Sequence, residues 1–326
     1  MQQKTSQLYD EQAAVAFYQE RYARGYMDEW PVEKKRRVFE LIRGLELPDK
    51  GEALDFGCGN GVFTEIIRQA LPPGWKVYGA DISGTAVENA KKRYPKCTFL
   101  VSGGGKFLKT GRFDFLFTHH VLEHVYDLPK VLDEINGCLK DKSEMLHILP
   151  CGNEGSFEHD ICLLRKDGIN RHLEDRFFFE DEGHVRRLTT EQLSKLCENR
   201  GFALAKECYS NQYHGSINWI TRDGPGFIRK FTGISAALDE EAEDKLRKLR
   251  RRLFCFWALR YPAISVETIL RKKGRTVRDY FSLMTGLPLY PLAKPVDSYL
   301  KRKASDEWDK RKTERNGSEM YVFFKR

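Results

Sequence analysis

Residues 51–63, Gly51-Glu52-Ala53-Leu54-Asp55-Phe56-Gly57-Cys58-Gly59-Asn60-Gly61-Val62-Phe63, constrain the fold more than any other stretch. The apolar run 53–56 reads as a buried strand, and it ends in three glycines at alternate positions. A helix-forming run, 63–70, follows at once. Strand, glycine turn and helix in that order bring backbone N–H groups and a helix N-terminus against a ligand. A Cβ at the turn would block both the tight bend and the ligand's approach. The plainer alternative is a tight strand-to-helix turn that holds nothing.

The next segments repeat the strand-then-helix rhythm. Residues 75–83 read as a second strand ending in an acid, Asp81, which lies 20 residues beyond Gly61. A carboxylate at that strand end can accept both hydroxyls of a ribose. Alternatively it caps the helix that follows, where Ser83 or Thr85 also qualifies. A third strand, 97–101, runs into Ser102-Gly103-Gly104-Gly105, and a fourth, 113–118, into His119-His120-Val121-Leu122-Glu123-His124-Val125. An amphipathic helix over 128–139 and a fifth strand over 144–149 come next. Ahead of the glycine turn, 9–30 and 32–45 read as two helices separated near Gly25 and Pro31.

Asp-x-Gly-x-Gly-x-Gly at 55–61 and Val-Leu-Glu-His-Val at 121–125 together resemble the class I S-adenosylmethionine-dependent methyltransferases of the small-molecule type. The stretch 183–202, with His184-Val185-Arg186-Arg187-Leu188-Thr189, resembles the His-x-Arg-x-x-Thr segment before the last helix of those families. The resemblance covers roughly residues 9–209 and 318–326. It implies an α/β, Rossmann-like sheet of seven strands in the order 3-2-1-4-5-7-6, with strand 7 antiparallel. Residues 202–209 would be strand 6 and 319–324 strand 7, so 213–317 form a helical insertion before the last strand. The division expected is a helical lid at 1–50, a cofactor-binding domain at 51–212, the insertion at 213–317 and the closing strand at 318–326. Tyr22, Tyr26 and Trp30 in the leading segment either cover the cofactor or simply pack on the domain.

The resemblance also implies site roles. Gly57, Cys58, Gly59 and Gly61 would line the methionine portion of S-adenosylmethionine, with Asp55 ordering the turn from beneath. Asp81, with Ile82 beside it, would hold the ribose. Ser102, Thr118 and His119 would complete the cofactor site, the adenine contact being backbone-made because serine and glycines stand where relatives place an acid.

A sulfonium methyl is already electrophilic, so the protein's main task is to place the acceptor in line with it. A hydroxyl or ammonium acceptor must also lose a proton. Imidazole suits that near neutral pH, which makes His120, His124 and His184 the candidate bases. His124 has the alternative of a helix-start residue bonded to backbone. Arg186 could grip an acidic acceptor through its forked donors, and Tyr26 and His159 are the other candidate acceptor contacts. The chemistry calls for no metal. No Asn- or Asp-Pro-Pro-aromatic segment follows the fourth strand, and Pro150-Cys151 follows the fifth strand instead of the fourth. Those absences disfavour a nucleic-acid acceptor and favour a small metabolite or a glycan, lipid-linked in one version.

Charge is uneven along the chain. Residues 245–278 hold twelve Lys or Arg and one acid, a net of +11 against +8 for all 326 residues. The remainder is therefore near −3. Basic clusters there adjoin the apolar runs 253–259 and 280–300, a pattern suited to an anionic membrane surface. Packing within a helical subdomain or on a second copy is the plainer alternative. No uncharged run approaches the roughly 20 residues that span a bilayer. Eight scattered cysteines without a Cys-x-x-Cys pair fit a reducing cytoplasm, at the inner membrane face if the basic segment docks there. A rival from another class is a non-catalytic cofactor-binding scaffold that docks an acidic partner through the basic segment.

Overall fold

The computed structural model describes residues 11–102, 111–272 and 274–326, with no side-chain detail for 11–13. The expected loop glycines 103–105, residues 9 and 10 of the leading segment and Lys273 of the basic run lie outside the described residues. The chain divides into two units. The first comprises Met1–Pro150, Asp181–Glu207 and Met320–Arg326, and the second Cys151–Glu180 and Cys208–Glu319.

In the first unit two helices, α1 (Glu11–Ala23) and α2 (Val32–Arg43), precede β1 (Lys50–Phe56). There follow α3 (Val62–Ala70), β2 (Gly74–Asp81), α4 (Gly84–Arg93), β3 (Thr98–Val101), β4 (Phe113–His119), α5 (Leu128–Cys138) and β5 (Leu139–Pro150). After an excursion into the second unit, which holds α6 (Phe157–Leu163), the chain returns for α7 (Thr190–Glu198) and β6 (Ala203–Ser210). The closing strand, β7, is Glu319–Lys325. These seven strands form one sheet in the order β3-β2-β1-β4-β5-β7-β6, the order the resemblance implies.

Strand β1 pairs in parallel with β2 and β4, β2 with β3, and β4 with β5. Parallel strands covered on both faces carry near-continuous apolar runs. Accordingly Phe113, Phe115, Leu116 and Phe117 of β4 and Ala53 and Leu54 of β1 are all buried. Local chemistry starts the flanking helices. Ser83 caps α4, accepting from Ala86 N–H at 3.2 Å, and Asp127 caps α5 through Lys130 N–H at 3.1 Å. Thr189 and Gln192 form a reciprocal capping box on α7. Leu193 and Cys197 face inward from that helix.

The second unit is mostly helical. It adds α8 (His214–Asp223), α9 (Pro225–Phe231), α10 (Glu240–Arg271), α11 (Val277–Gly286) and α12 (Tyr290–Arg311). Its core gathers Ile161, Phe177 and Phe179 with Ile217, Phe231, Leu246, Leu253 and Leu300. Residues 151–180, inside the span 51–212 expected for the cofactor-binding domain, thus cluster with 208–319. The reason is their aromatic residues: Phe179 lies 5.1 Å from Phe231, ring to ring.

Helix α10 runs through Pro262 without interruption. Proline disfavours a helix interior, but the residues around it are fixed by tertiary contacts. Arg260, fully buried, donates from Nε to Asp297 at 3.0 Å, from Nη1 to Thr221 Oγ1 at 2.7 Å and from Nη2 to Asn218 Oδ1 at 2.7 Å. Ala263, Val266 and Ile269 are buried on the next turns. By length and composition α10 could cross a membrane; its apolar stretch nevertheless contains that buried ion pair.

Candidate functional site

The site grows from the end of β1. Gly57, Gly59 and Gly61 all have positive φ, at 78°, 51° and 78°. At Gly57 the requirement is double, because an added Cβ would lie 2.4 Å from Val121 Cγ2. At Gly59 a Cβ would lie 2.7 Å from the Tyr22 hydroxyl, so a tyrosine of α1 reaches the turn itself. The turn is closed from below by backbone bonds, Gly57 and Cys58 N–H both donating to Ala80 C=O at 2.7 and 3.0 Å.

Two buried carboxyls flank it. Asp55 accepts from Thr64 Oγ1 on α3 at 2.6 Å. Burial pushes its pKa up to about 7, the Thr64 bond opposing this and the nearby Asp81 charge adding to it. Asp81, at the end of β2, accepts from Gly59 N–H at 2.8 Å and from Ser83 N–H at 2.9 Å. Burial raises its pKa too, against those two backbone bonds. Ile82 is half-buried next to it, and Ser102 N–H donates to Asp81 C=O at 2.8 Å. Asp55, Gly57, Cys58, Gly59, Gly61, Asp81, Ile82 and Ser102 are therefore gathered around one turn.

The end of β4 supplies the histidines. His120 follows the strand at φ 53°, and its Nδ1 lies 2.7 Å from Glu123 Oε1. Glu123 is 1% exposed. Burial alone would raise its pKa, but His120, His124 and His184 around it hold the carboxyl down at about 2. The His124 and His184 rings meet edge to face at 4.6 Å. Burial and the His184 neighbour lower His124 to about 4, which keeps that imidazole neutral. Ligand atoms of Glu123, His124 and His184 lie within 4.8 Å of one another, so this trio is also a donor set able to take a metal ion. The three histidines expected to act on the acceptor are thus brought together, with Glu123 as a partner that the sequence showed only as a motif letter.

Other expected residues are placed differently. The Thr118 hydroxyl is 2.7 Å from His147 Nδ1, between β4 and β5. His119 is buried in an aromatic group, 4.1 Å from the Phe63 ring and 4.5 Å from Trp30. Arg186 donates to the backbone carbonyls of Leu122, Val125 and Tyr126. Its guanidinium thus binds three carbonyls of the 122–126 turn that carries Glu123. His159 belongs to the second unit, buried beside Phe177.

Helix α1 and the segment after it lie along this site. Arg21 reaches Asp181 through both terminal guanidinium nitrogens, and its guanidinium carbon sits 3.8 Å over the Tyr26 ring. Tyr18 meets His124 edge to face at 5.7 Å. Asn60, within the glycine turn, donates to Tyr26 C=O at 3.2 Å and to Asp28 Oδ1 at 2.6 Å. Arg21 and Asp181 are 160 positions apart, and nothing in the local pattern of either announces the pair.

Comparison with known proteins bears on this geometry. A family model described as a methyltransferase domain matches residues 21–207. A trans-aconitate 2-methyltransferase of Enterobacter sp. (strain 638) is 27% identical over 112 residues, 34% of this chain and 44% of that protein. A 37.1 kDa protein in transposon TN4556 of Streptomyces fradiae is 26% identical over 186 residues, 55% of this chain and 52% of the other. The chain spans about half the length of these curated relatives. Among solved structures, magnesium protoporphyrin IX methyltransferase from Synechocystis PCC 6803 with bound SAH is 19% identical. The match covers 63% of this chain and 95% of that one, with a TM-score of 0.46.

Proposed function

Because the chain belongs to the methyltransferase-domain family, we propose that it moves a methyl group from S-adenosylmethionine to an oxygen or nitrogen of a small metabolite or sugar. The observation that carries this is Asp81. Its carboxylate ends β2 beside the glycine turn and is fixed there by Gly59 and Ser83 N–H, where a ribose hydroxyl pair finds an acceptor.

The residues present fit this cofactor. The left-handed backbone of the three glycines folds the turn back so that Gly59 N–H meets Asp81, and the buried carboxyl of Asp81 answers the hydroxyl donors of a nucleoside. S-Adenosylmethionine supplies a methyl group on a sulfonium, electrophilic without further activation. The protein's share is to position the acceptor and receive its proton. His120 receives that proton at Nε2, while Nδ1 faces Glu123, whose ionised carboxylate stabilises the imidazolium formed. His124 and His184 pack around the same carboxylate and set its surroundings. Tyr22 and Tyr26 cover the turn and limit the acceptor's approach.

Acceptors of the size and polarity of trans-aconitate, the compound in the name of one relative, belong in the first panel, together with amines and sugars. Incubation with S-adenosylmethionine and this panel, reading S-adenosylhomocysteine, tests the proposal. Acceptor-dependent product supports it. A protein that binds the cofactor and yields no product with any acceptor is instead the scaffold considered above.

A further inference from the structure

Single exposed apolar side chains are ordinary on a protein surface, whereas contiguous ones mark a contact. In the second unit, α11 presents Val277, Phe281 and Met284 at 87%, 66% and 74% exposure. Their spacing of four and three residues puts them on one helical face. Leu287, in the connection to α12, and Leu292, on its first turn, extend the same kind of surface, Leu292 at 76%.

This exposure does not come from a loosely held helix. Thr276 and Asp279 make a reciprocal capping box at the start of α11, and Lys272 Nζ binds Asp279 at 2.6 Å. Gly286 is buried against Val266 of α10, where an added Cβ would lie 3.0 Å from a valine methyl. One side of α11 is therefore anchored, and the apolar side faces solvent.

The charges beside the apolar residues are of one sign. Arg271, Lys272, Arg275 and Arg278 are exposed, and Asp279 is the sole acid from 268 to 292, already bound to Lys272. Arg275 also donates to the last carbonyls of α10, Ile269 at 3.2 Å and Leu270 at 3.0 Å, so its cation is held at the edge of the face.

We propose that α11, its connection and the first turn of α12 form a docking face for an anionic bilayer, the apolar side chains entering the interface while Arg271, Arg275 and Arg278 meet the headgroups. Such a segment lies in the interfacial plane and does not span. A second copy is the less suitable occupant, because a two-fold contact presents the same patch on both sides and would bring two sets of these cations together. An acidic protein partner would account for the arginines and leave the breadth of the apolar face unused. The proposal concerns the second unit alone and stands apart from methyl transfer.

Co-sedimentation tests it with the full chain and no cofactor, using vesicles of phosphatidylcholine alone or with phosphatidylglycerol. Wild type is expected to pellet with the anionic vesicles, to stay in solution with the neutral ones, and to be released at about 0.5 M salt as charges are screened. F281S/M284S/L292S changes only exposed positions and should retain the wild-type circular dichroism while losing the vesicles. R271E/R275E/R278E should lower anionic-vesicle affinity by about tenfold or more. Wild type remaining in the supernatant with anionic vesicles overturns the proposal, as does binding that survives both variants. A concentration-dependent dimer that F281S/M284S/L292S dissociates, with no vesicle binding, assigns the face to a second copy.

Discussion

Arg21 holds Asp181 in a two-point fork, Nη1 to Oδ1 and Nη2 to Oδ2, both at 2.7 Å. The pair ties α1 to the segment that carries His184. Arg21 and two backbone or imidazole neighbours pull the Asp181 carboxyl well below the usual range, against a burial effect that would raise it.

Loosening this fork should weaken cofactor binding more than folding. Both side chains are partly exposed, so the pair is worth about 1 kcal/mol, a several-fold change in Kd. R21A and D181N should each show that loss by calorimetry with S-adenosylmethionine. R21K should recover only part of it, since an ammonium cannot make the two-point contact. Wild-type affinity in R21A would remove the clamp from the account.

Gly57 tests the turn. G57A must adopt positive φ and also displace Val121, at a cost of roughly 1–3 kcal/mol in stability. Cofactor binding should be lost in the fraction that folds. Adding V121A relieves the clash and leaves the backbone strain, so G57A/V121A should lie between G57A and wild type in thermal melts.

Asp55 makes stability depend on pH with a definite sign. Its folded pKa near 7 lies above the ordinary 3.8, so the folded state holds the proton more tightly than the unfolded chain. The stabilising effect of the neutral carboxyl is complete below pH 4 and is lost as pH rises through 7. Between pH 4 and pH 8 the difference in unfolding free energy should move in favour of D55N by roughly 4 kcal/mol. Parallel urea-midpoint profiles for wild type and D55N would contradict the assignment.

His120 and Glu123 should act on turnover and not on cofactor affinity. Loss of a positioned base typically costs 10²–10⁴-fold, so H120A should lower kcat by about that factor at unchanged Kd for S-adenosylmethionine. E123Q keeps the size and removes the charge that steadies an imidazolium, so it should slow turnover by a smaller factor. A full wild-type rate in H120A, on whichever acceptor proves active, would assign the proton to another group.

The buried Arg260–Asp297 pair should dominate the second unit's stability. R260A leaves Asp297 charged in the interior apart from Lys301, which lies 2.6 Å away at Oδ2, and should cost about 3–5 kcal/mol. R260M/D297L removes both charges and should recover much of that loss, measured by chemical denaturation.

Much of the first unit was legible because its signals are local. Gly57, Gly59 and Gly61 announce a left-handed turn, Ser83 and Thr189 announce helix starts, and the run Phe113–Phe117 announces a strand buried on both faces. What escaped depends on distant partners. Phe177 and Phe179 sit in a polar-looking stretch whose core is supplied by residues 217–300. Pro262 is a residue that disfavours a helix interior, yet α10 continues through it beside the buried Arg260–Asp297 pair. Arg186 and Thr118 carry functional groups that suit a site, yet backbone carbonyls and His147 engage them. Glu123 was visible three residues after His120 and next to His124, a spacing that sequence alone could have read as a carboxylate among imidazoles.

Isothermal calorimetry with S-adenosylmethionine on wild type and D81A tests the central claim most directly. Wild type should bind one equivalent in the micromolar range typical of cofactor and substrate sites, and D81A, folded by circular dichroism, should show at least a tenfold weaker Kd, the equivalent of about 1.4 kcal/mol. A folded wild type that takes up no S-adenosylmethionine at millimolar concentration, or a D81A that binds as wild type does, would contradict the account.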